Sequence, residues 1–518
     1  MSSDGNFDVV IVGAGAAGCA LAYRLTADTD LQVLLLEGGN DERPDTVAVP
    51  ARWPETLSGP LDYGYMIVPQ QSAGARVFPA WRARVLGGTT TINAMIYSLP
   101  GPDDLASWGP GWSYEDCAPA LRAMESHRGG GPTRGSGGPA VNGPASHPNQ
   151  LNLDFLRASI EAGFPAVDDL NGPDVQGAGY FDLSIGEDGM RADAAQSYLR
   201  STPDRPNLQV WTGVAVQRLN ITDGVVASLS VVRDGVDETL PVIGQVVLSA
   251  GAIDTPALLL RSGVGPADEL RRIGIAPVVD LPGVGRNLHD HPSIPVMWST
   301  EEEIAPPQHQ FAETALLLRH AEETHGQTVS VAFHHIALLP PEAGPPANAA
   351  TALVGLYEPR SRGSLTLDPA DPDKQPLIDL GLFTDNRDVV ALAAGIELVR
   401  RIGEQPSLER YGLTEFLPGP DVDDRDSLEE FVRATAGTYQ HLVGTCAIGS
   451  GELSVVDFKL CVRSIDNLRI ADASVIPTIP GAAPSATIQM IGWRAAELIL
   501  ADLAGQAVGQ DGRRIVVG

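Results

Sequence analysis

One six-residue stretch restricts the fold of this chain more than any other. Gly13-Ala14-Gly15-Ala16-Ala17-Gly18 has the spacing GxGxxG and follows the short apolar run Phe7 to Val12. Such a run, bounded by glycine, is the signature of a buried parallel strand. Cys19 to Leu25 continues with small residues suited to a closely packed helix, and Leu31 to Leu36 forms a second buried strand. Together they make a βαβ unit. In such a unit the first glycine permits the tight turn, and the second lets the backbone approach a pyrophosphate. The third allows helix and sheet to touch, and the helix N-terminus stabilises phosphate charge. Glu37 ends the second strand, 24 residues past Gly13, where a carboxylate can accept hydrogen bonds from ribose hydroxyls and would repel a 2′-phosphate. Dinucleotide binding follows, with FAD and NAD both open at this point.

The remaining chain is too long for one compact core, so 518 residues predict two connected domains. Alternating apolar segments from Leu208 to Leu248, broken at Asp223-Gly224 and Asp234-Gly235, predict antiparallel strands joined by hairpins. Val246 to Ser249 reads as a further buried strand, and Val329 to Leu339 as an apolar strand-like run. Helical periodicity marks Val389 to Ile402, Ser427 to Ala436 and Ile488 to Ala504. Gly129 to Asn149 and Leu339 to Asn348 read as surface loops.

Several function classes are disfavoured. A net charge of −30 repels nucleic acid and anionic lipid. No apolar run approaches the roughly 20 residues of a membrane span, and no signal peptide precedes the first strand. The cysteines, Cys19, Cys117, Cys446 and Cys461, form no CxxC pair. That fits a reducing cytoplasm and predicts no metal site.

A second set of motifs separates FAD from NAD. Arg84-Val85-Leu86-Gly87-Gly88-Thr89-Thr90-Thr91-Ile92-Asn93-Ala94-Met95-Ile96-Tyr97 resembles the flavin-contact segment of the glucose–methanol–choline oxidoreductases. Trp108 to Tyr114, Ala250 to Pro256, Leu258 to Gly265 and Gly283 to Pro292 are similar to further segments of that family. So are His441-Leu442-Val443-Gly444-Thr445-Cys446 and Asn467 to Ser474, in the family's order along nearly the whole chain. The resemblance implies an α/β fold: a doubly wound FAD domain with a discontinuous substrate domain, an antiparallel sheet backed by helices. Residues 1–100, 190–292 and 437–518 are expected in the flavin domain, and 101–189 and 293–436 in the substrate domain. Implied cofactor contacts are Gly13, Gly15, Ala16, Ala17, Gly18, Glu37, Gly38, Arg84, Gly87, Gly88, Thr89, Asn93, Ala94 and Met95. Val214, Ala250, Gly251, Asp472, Ala473, Ala483, Pro484 and Thr487 complete that set. Some members carry FAD on a histidine where this chain has Ile92, so FAD is expected to be non-covalent.

The implied activity is oxidation of a small alcohol, with a base removing the hydroxyl proton and hydride passing to flavin N5. Oxygen or another carrier is the expected electron acceptor, and oligomeric state is open. A neutral imidazole suits the proton step near pH 7, and His441 is the residue matched to the family's catalytic histidine. The His289-Asp290-His291 triplet is read as structural, because neighbouring side chains in an extended segment point to opposite faces. The family's second polar partner falls on Ala483, followed by Pro484 and Ser485, and alanine has no side-chain hydrogen bond to offer. Ser485, His334 and His335 are therefore candidates to help His441. An FAD-containing lyase of the hydroxynitrile-lyase type is the alternative activity, and an inactive flavoprotein a third.

Overall fold

A computed structural model describes residues 6–172, 175–201, 205–339, 344–371 and 373–509. Residues 340–343 of the second expected loop lie outside that range, as do the extreme ends of the outer flavin-domain segments.

The apolar runs form a five-stranded parallel sheet in the order Leu208–Trp211, Val33–Leu36, Val9–Val12, Gln245–Leu248, Leu468–Ile470. Val9–Val12 and Val33–Leu36 are buried along their whole length, as strands covered on both faces must be. The helix Ala16–Ala27 leaves the first strand and packs against Ser485–Gly509 at the other end of the chain. Their approach is close: a Cβ on Gly492 would overlap the backbone of Ala17. A second strand–turn–helix unit runs from Gln245–Leu248 into Gly251–Arg261.

The hairpins expected at Asp223-Gly224 and Asp234-Gly235 join Val214–Thr222, Val225–Arg233 and Val236–Pro241 into a three-stranded antiparallel sheet. Leu208–Trp211 does not belong to it. This strand pairs in parallel with Val33–Leu36 at the edge of the main sheet, where Gln209 and Val210 are both exposed.

The second large sheet is antiparallel, in the order Thr414–Leu417, Pro292–Ser299, Ala349–Leu356, Val329–His334, Ala312–Leu318, Gly177–Tyr180. Gln150–Glu161 and Asn386–Gly403 lie on it, each started by a side-chain cap, Asn149 on Leu151 N–H and Asp385 on Arg387 N–H. Ala315 and Ala332 of the sheet pack with Met95 of the glycine-threonine segment, so this sheet faces the motif that the first one carries. The helix Tyr114–Met124, expected in the substrate domain, packs instead on Ser485–Gly509. Trp112 Nε1 donates to the Phe458 carbonyl, and Arg494 to that of Gly111. Among the described residues no helix is long and apolar enough to cross a membrane.

Candidate active site

The first glycine loop is shaped by what surrounds each Cα. Gly13 has φ +102°, and a Cβ there would lie 2.5 Å from the Ser249 carbonyl oxygen. At Gly18 a Cβ would overlap the Gly13 carbonyl. Gly15 differs, because a Cβ there would meet nothing within 4 Å. Its backbone faces open space at the start of a helix that no side chain caps, an anion-binding arrangement. Glu37 is buried at the strand end, where Oε2 accepts from Ala14 N–H at 3.0 Å and Oε1 from Gly39 N–H at 2.7 Å. Burial pushes its carboxyl up to about 7, against the pull of those two N–H groups. Beside it, Val214 N–H donates to the Glu37 carbonyl, and Arg84 Nε to that of Gly38.

The second loop touches the first. Gly87 and Gly88 both have positive φ, and a Cβ on Gly88 would lie 2.8 Å from Gly15 Cα, so only glycine permits this contact. Asn93 is held by a residue that sequence reasoning missed. The Arg191 guanidinium, wholly interior, donates through Nη1 to Asn93 Oδ1 at 2.8 Å and to the carbonyls of Asn93 and Thr90 at 2.7 and 3.1 Å. Its Nε donates to the Val47 carbonyl. Burial lowers the Arg191 pKa to about 9. Nothing in the local sequence marks such an arginine, because its partners are mostly carbonyls.

Asp472 turns out to position the loops. Its Oδ2 accepts from Gly251 N–H and the Thr255 hydroxyl at 2.8 and 2.6 Å, and its Oδ1 from the N–H and hydroxyl of Ser474. Thr487, in the first turn of the last helix, is fully buried, and its hydroxyl has no hydrogen-bond partner among the described residues. An unpaired buried hydroxyl costs about 1–3 kcal/mol, so a ligand atom fits there. The open face at Gly15, the uncapped helix, Glu37 and Thr487 together suit a dinucleotide with a ring system reaching the second loop.

The catalytic candidate lies where the two sheets meet. Gly437–Thr438 pairs with Ser293 and Pro292 at the start of a substrate-sheet strand, and the chain then turns through Gln440 (φ +65°) into His441. Gln440 ties this turn to the flavin side, donating to the Pro79 carbonyl and accepting from Trp81 N–H. Asp290 Oδ1 accepts from the N–H groups of His441 and His291 at 2.6 and 2.7 Å. This aligns the two imidazoles, and His441 Nδ1 lies 3.0 Å from His291 Nδ1. Tyr439 stacks on His441 at 5.6 Å and Tyr357 on His291 at 4.5 Å between ring centroids. Burial, with His291 and Arg82 nearby, holds the His441 pKa well below its usual value; burial lowers His291 too. Both shifts favour the neutral rings, and a hydrogen bond between the two Nδ1 atoms requires one of them to carry its proton.

His291 thus lies against His441, whereas the sequence reading placed it in a structural triplet. His289 is the structural member: Nδ1 donates to the Asn287 carbonyl and Nε2 accepts from Ile479 N–H at 3.0 Å. The other helpers proposed for His441 do not reach it. His334 pairs with Thr351, opposite Met297, whereas His441's neighbours sit at Pro292, five residues along that strand. At about 3.3 Å per residue this is some 16 Å. His335 turns to the covering helix, accepting from Asn152 Nδ2 at 2.7 Å. The Ser485 hydroxyl accepts from Gln489 at 3.4 Å. Ala483 and Pro484 are buried just before the last helix. Among the described residues no group of three or more His, Cys, Asp or Glu side chains could hold a metal.

The chain is similar to known proteins along nearly its whole length. The N-terminal GMC oxidoreductase model matches residues 7–293 and the C-terminal one residues 359–492. The chain is 32% identical to choline oxidase of Arthrobacter globiformis, over 98% of this chain and 97% of that one. It is 32% identical to pyridoxine 4-oxidase of Microbacterium luteolum, over 94% and 98% respectively. Among solved structures, pyridoxine 4-oxidase from Mesorbium loti superposes with a TM-score of 0.89 at 30% identity, over 98% of this chain and all of that one.

Proposed function

The chain belongs to the GMC oxidoreductase family, and from that premise we propose that it oxidises the CH–OH group of a small alcohol with His441 as base. The observation that carries this reading is the His441–His291 contact. If His441 donates its Nδ1 proton to His291 Nδ1, its Nε2 is left with a free lone pair, the form a general base requires. Tyr439 and the Asp290-bound backbone fix the ring's plane and position. When Nε2 takes the substrate proton, the resulting imidazolium keeps its Nδ1 hydrogen bond to His291, a neutral acceptor one proton away. His291 and Tyr439 thereby replace the side-chain partner that Ala483 cannot be.

Gly13, Gly15, Gly18, Glu37, Gly87, Gly88, Asn93 and Thr487 would hold FAD. Bound there, FAD would supply the hydride acceptor and pass the electrons to oxygen or another carrier. Attachment is non-covalent in this reading, because Ile92 is buried in an apolar cluster with Val47, Leu61, Ala83 and Val85 and has no nucleophile to offer. Acid or heat denaturation is expected to release all the flavin into the supernatant as free FAD. Flavin that stays with the precipitated chain would refute this.

The decisive test is anaerobic mixing of the yellow holoenzyme with a panel of primary alcohols. One or more should bleach the oxidised flavin and yield the aldehyde. If a substrate is converted while the flavin stays oxidised, the lyase chemistry holds and the reading above fails.

A further inference from the structure

A narrow recess opens beside Tyr357, between the end of the glycine-threonine segment and the substrate sheet. The register places it at the His291 end of that sheet. Leu318 pairs with Val329 and Val329 with Leu356, so Arg319 and Tyr357, which follow the outer two of these strands, flank Thr328 from either side. Its wall includes Tyr97, Arg319, Ser330, Tyr357 and Gly481.

This wall is rich in hydrogen-bond donors that lack good acceptors. Arg319 touches Asp104 Oδ1 and the Gly481 carbonyl only at 3.4 Å each, and its buried Nε has no partner among the described residues. Asp104 binds more closely elsewhere, with Gly481 N–H on one oxygen and Gly101 N–H on the other, both at 2.6 Å. The Tyr97 hydroxyl is buried and also without a partner among the described residues. The Ser330 hydroxyl meets Tyr357. Asp182 lines the same recess, but its carboxylate is taken by Arg134 at 2.7 Å, Asn171 at 2.8 Å and His127 at 3.1 Å.

We propose that Arg319 and Tyr97 form an acceptor-binding end of the substrate pocket, so the alcohol oxidised at His441 carries a carboxylate at its far end. The inference rests on the reading of the site as an alcohol-oxidising one. A buried donor left unpaired is costly, and a guanidinium fork matches a carboxylate in shape and charge. The recess has a volume of about 20 Å³, close to one water-sized group, so it admits one carboxylate oxygen and not a trimethylammonium.

The test uses the FAD-loaded enzyme and two readouts. Benzoate and benzyltrimethylammonium are titrated against the flavin absorption spectrum. 4-(Hydroxymethyl)benzoate, benzyl alcohol and choline are compared in anaerobic flavin reduction. Benzoate is expected to bind about tenfold or more tightly than the ammonium, and the anionic alcohol to outpace the neutral one by a similar factor. Arg319→Met should collapse the anion-to-neutral ratio, and Arg319→Lys should restore part of it. Equal or tighter binding of the cation, no perturbation by benzoate, or a ratio unmoved in Arg319→Met overturns the proposal. Should that variant fail to fold, the wild-type titration decides alone. If benzoate binds as expected but no alcohol bleaches the flavin, the carboxylate site stands and the oxidation reading falls.

Discussion

His441→Ala will give a yellow protein that keeps its FAD and is reduced by its alcohol about 10²–10⁴ times more slowly, the usual contribution of a positioned base. The imidazole lies at the junction of the sheets, away from Gly15, Glu37 and Thr487, so its removal leaves the proposed cofactor contacts intact. Anaerobic stopped-flow reduction, with flavin content measured separately, checks both halves. A variant reduced at the native rate ends the assignment. The pH profile gives an independent readout. Neutral His441 is the active form, and burial depresses its pKa, so the protonated, inactive form accumulates only below the usual value of about 6.5. The reduction rate should stay flat from pH 8 down through 6.5 and fall at lower pH. His291→Ala removes the acceptor for the Nδ1 proton and should slow reduction about tenfold. His291→Asn, which keeps an acceptor oxygen, should recover part of the rate, a pattern that loss of packing alone would not give.

Gly15→Ala and Gly18→Ala, three residues apart, should fail in opposite ways. Gly15 has extended backbone, φ −81° and ψ −160°, and free space where a methyl would go. The alanine variant should therefore fold with an unchanged apoprotein Tm, yet bind FAD about 100-fold more weakly, because the methyl occupies the approach of the pyrophosphate. At Gly18 the methyl would be driven into the Gly13 carbonyl. Overpacking of this kind costs about 1–3 kcal/mol, and the apoprotein itself should melt earlier. Thermal unfolding without flavin, paired with equilibrium FAD titration, separates the two effects. Full FAD affinity in Gly15→Ala would show that no phosphate passes this glycine.

What the sequence revealed depended on how local the cause was. Strand, turn, helix and acid from Phe7 to Glu37 are dictated by neighbours in the chain, and the structure has them as read. The hairpins at Asp223-Gly224 and Asp234-Gly235 are equally local. Leu208–Trp211 misled because its mix of polar and apolar residues, tolerated at the open edge of a parallel sheet, looks like that of the antiparallel strands that follow it. At the site, His441 was marked by its motif, but His291 lies 150 residues away, and only the pairing of 292–293 with 437–438 brings the rings together. Arg191 and Arg319 were silent for the same reason, since their partners or vacancies are assembled from distant segments. His334 and His335 looked promising because polar residues in an apolar strand attract notice; register, which the sequence does not display, sets them at the far end.

The close contact between Ala16–Ala27 and Ser485–Gly509 has a consequence for biosynthesis. The glycine loop leaves the ribosome long before the segments that cover it, because the central sheet lacks its outer strand until Leu468–Ile470 and the helix has no cover until Ser485–Gly509. At about 5–20 residues per second, the nascent chain presents its ligand-gripping turn for tens of seconds before the grip can close. Flavin capture is therefore expected to be a late, post-translational event. A short C-terminal truncation reaching Gly492 should yield a chain that is synthesised normally and never turns yellow.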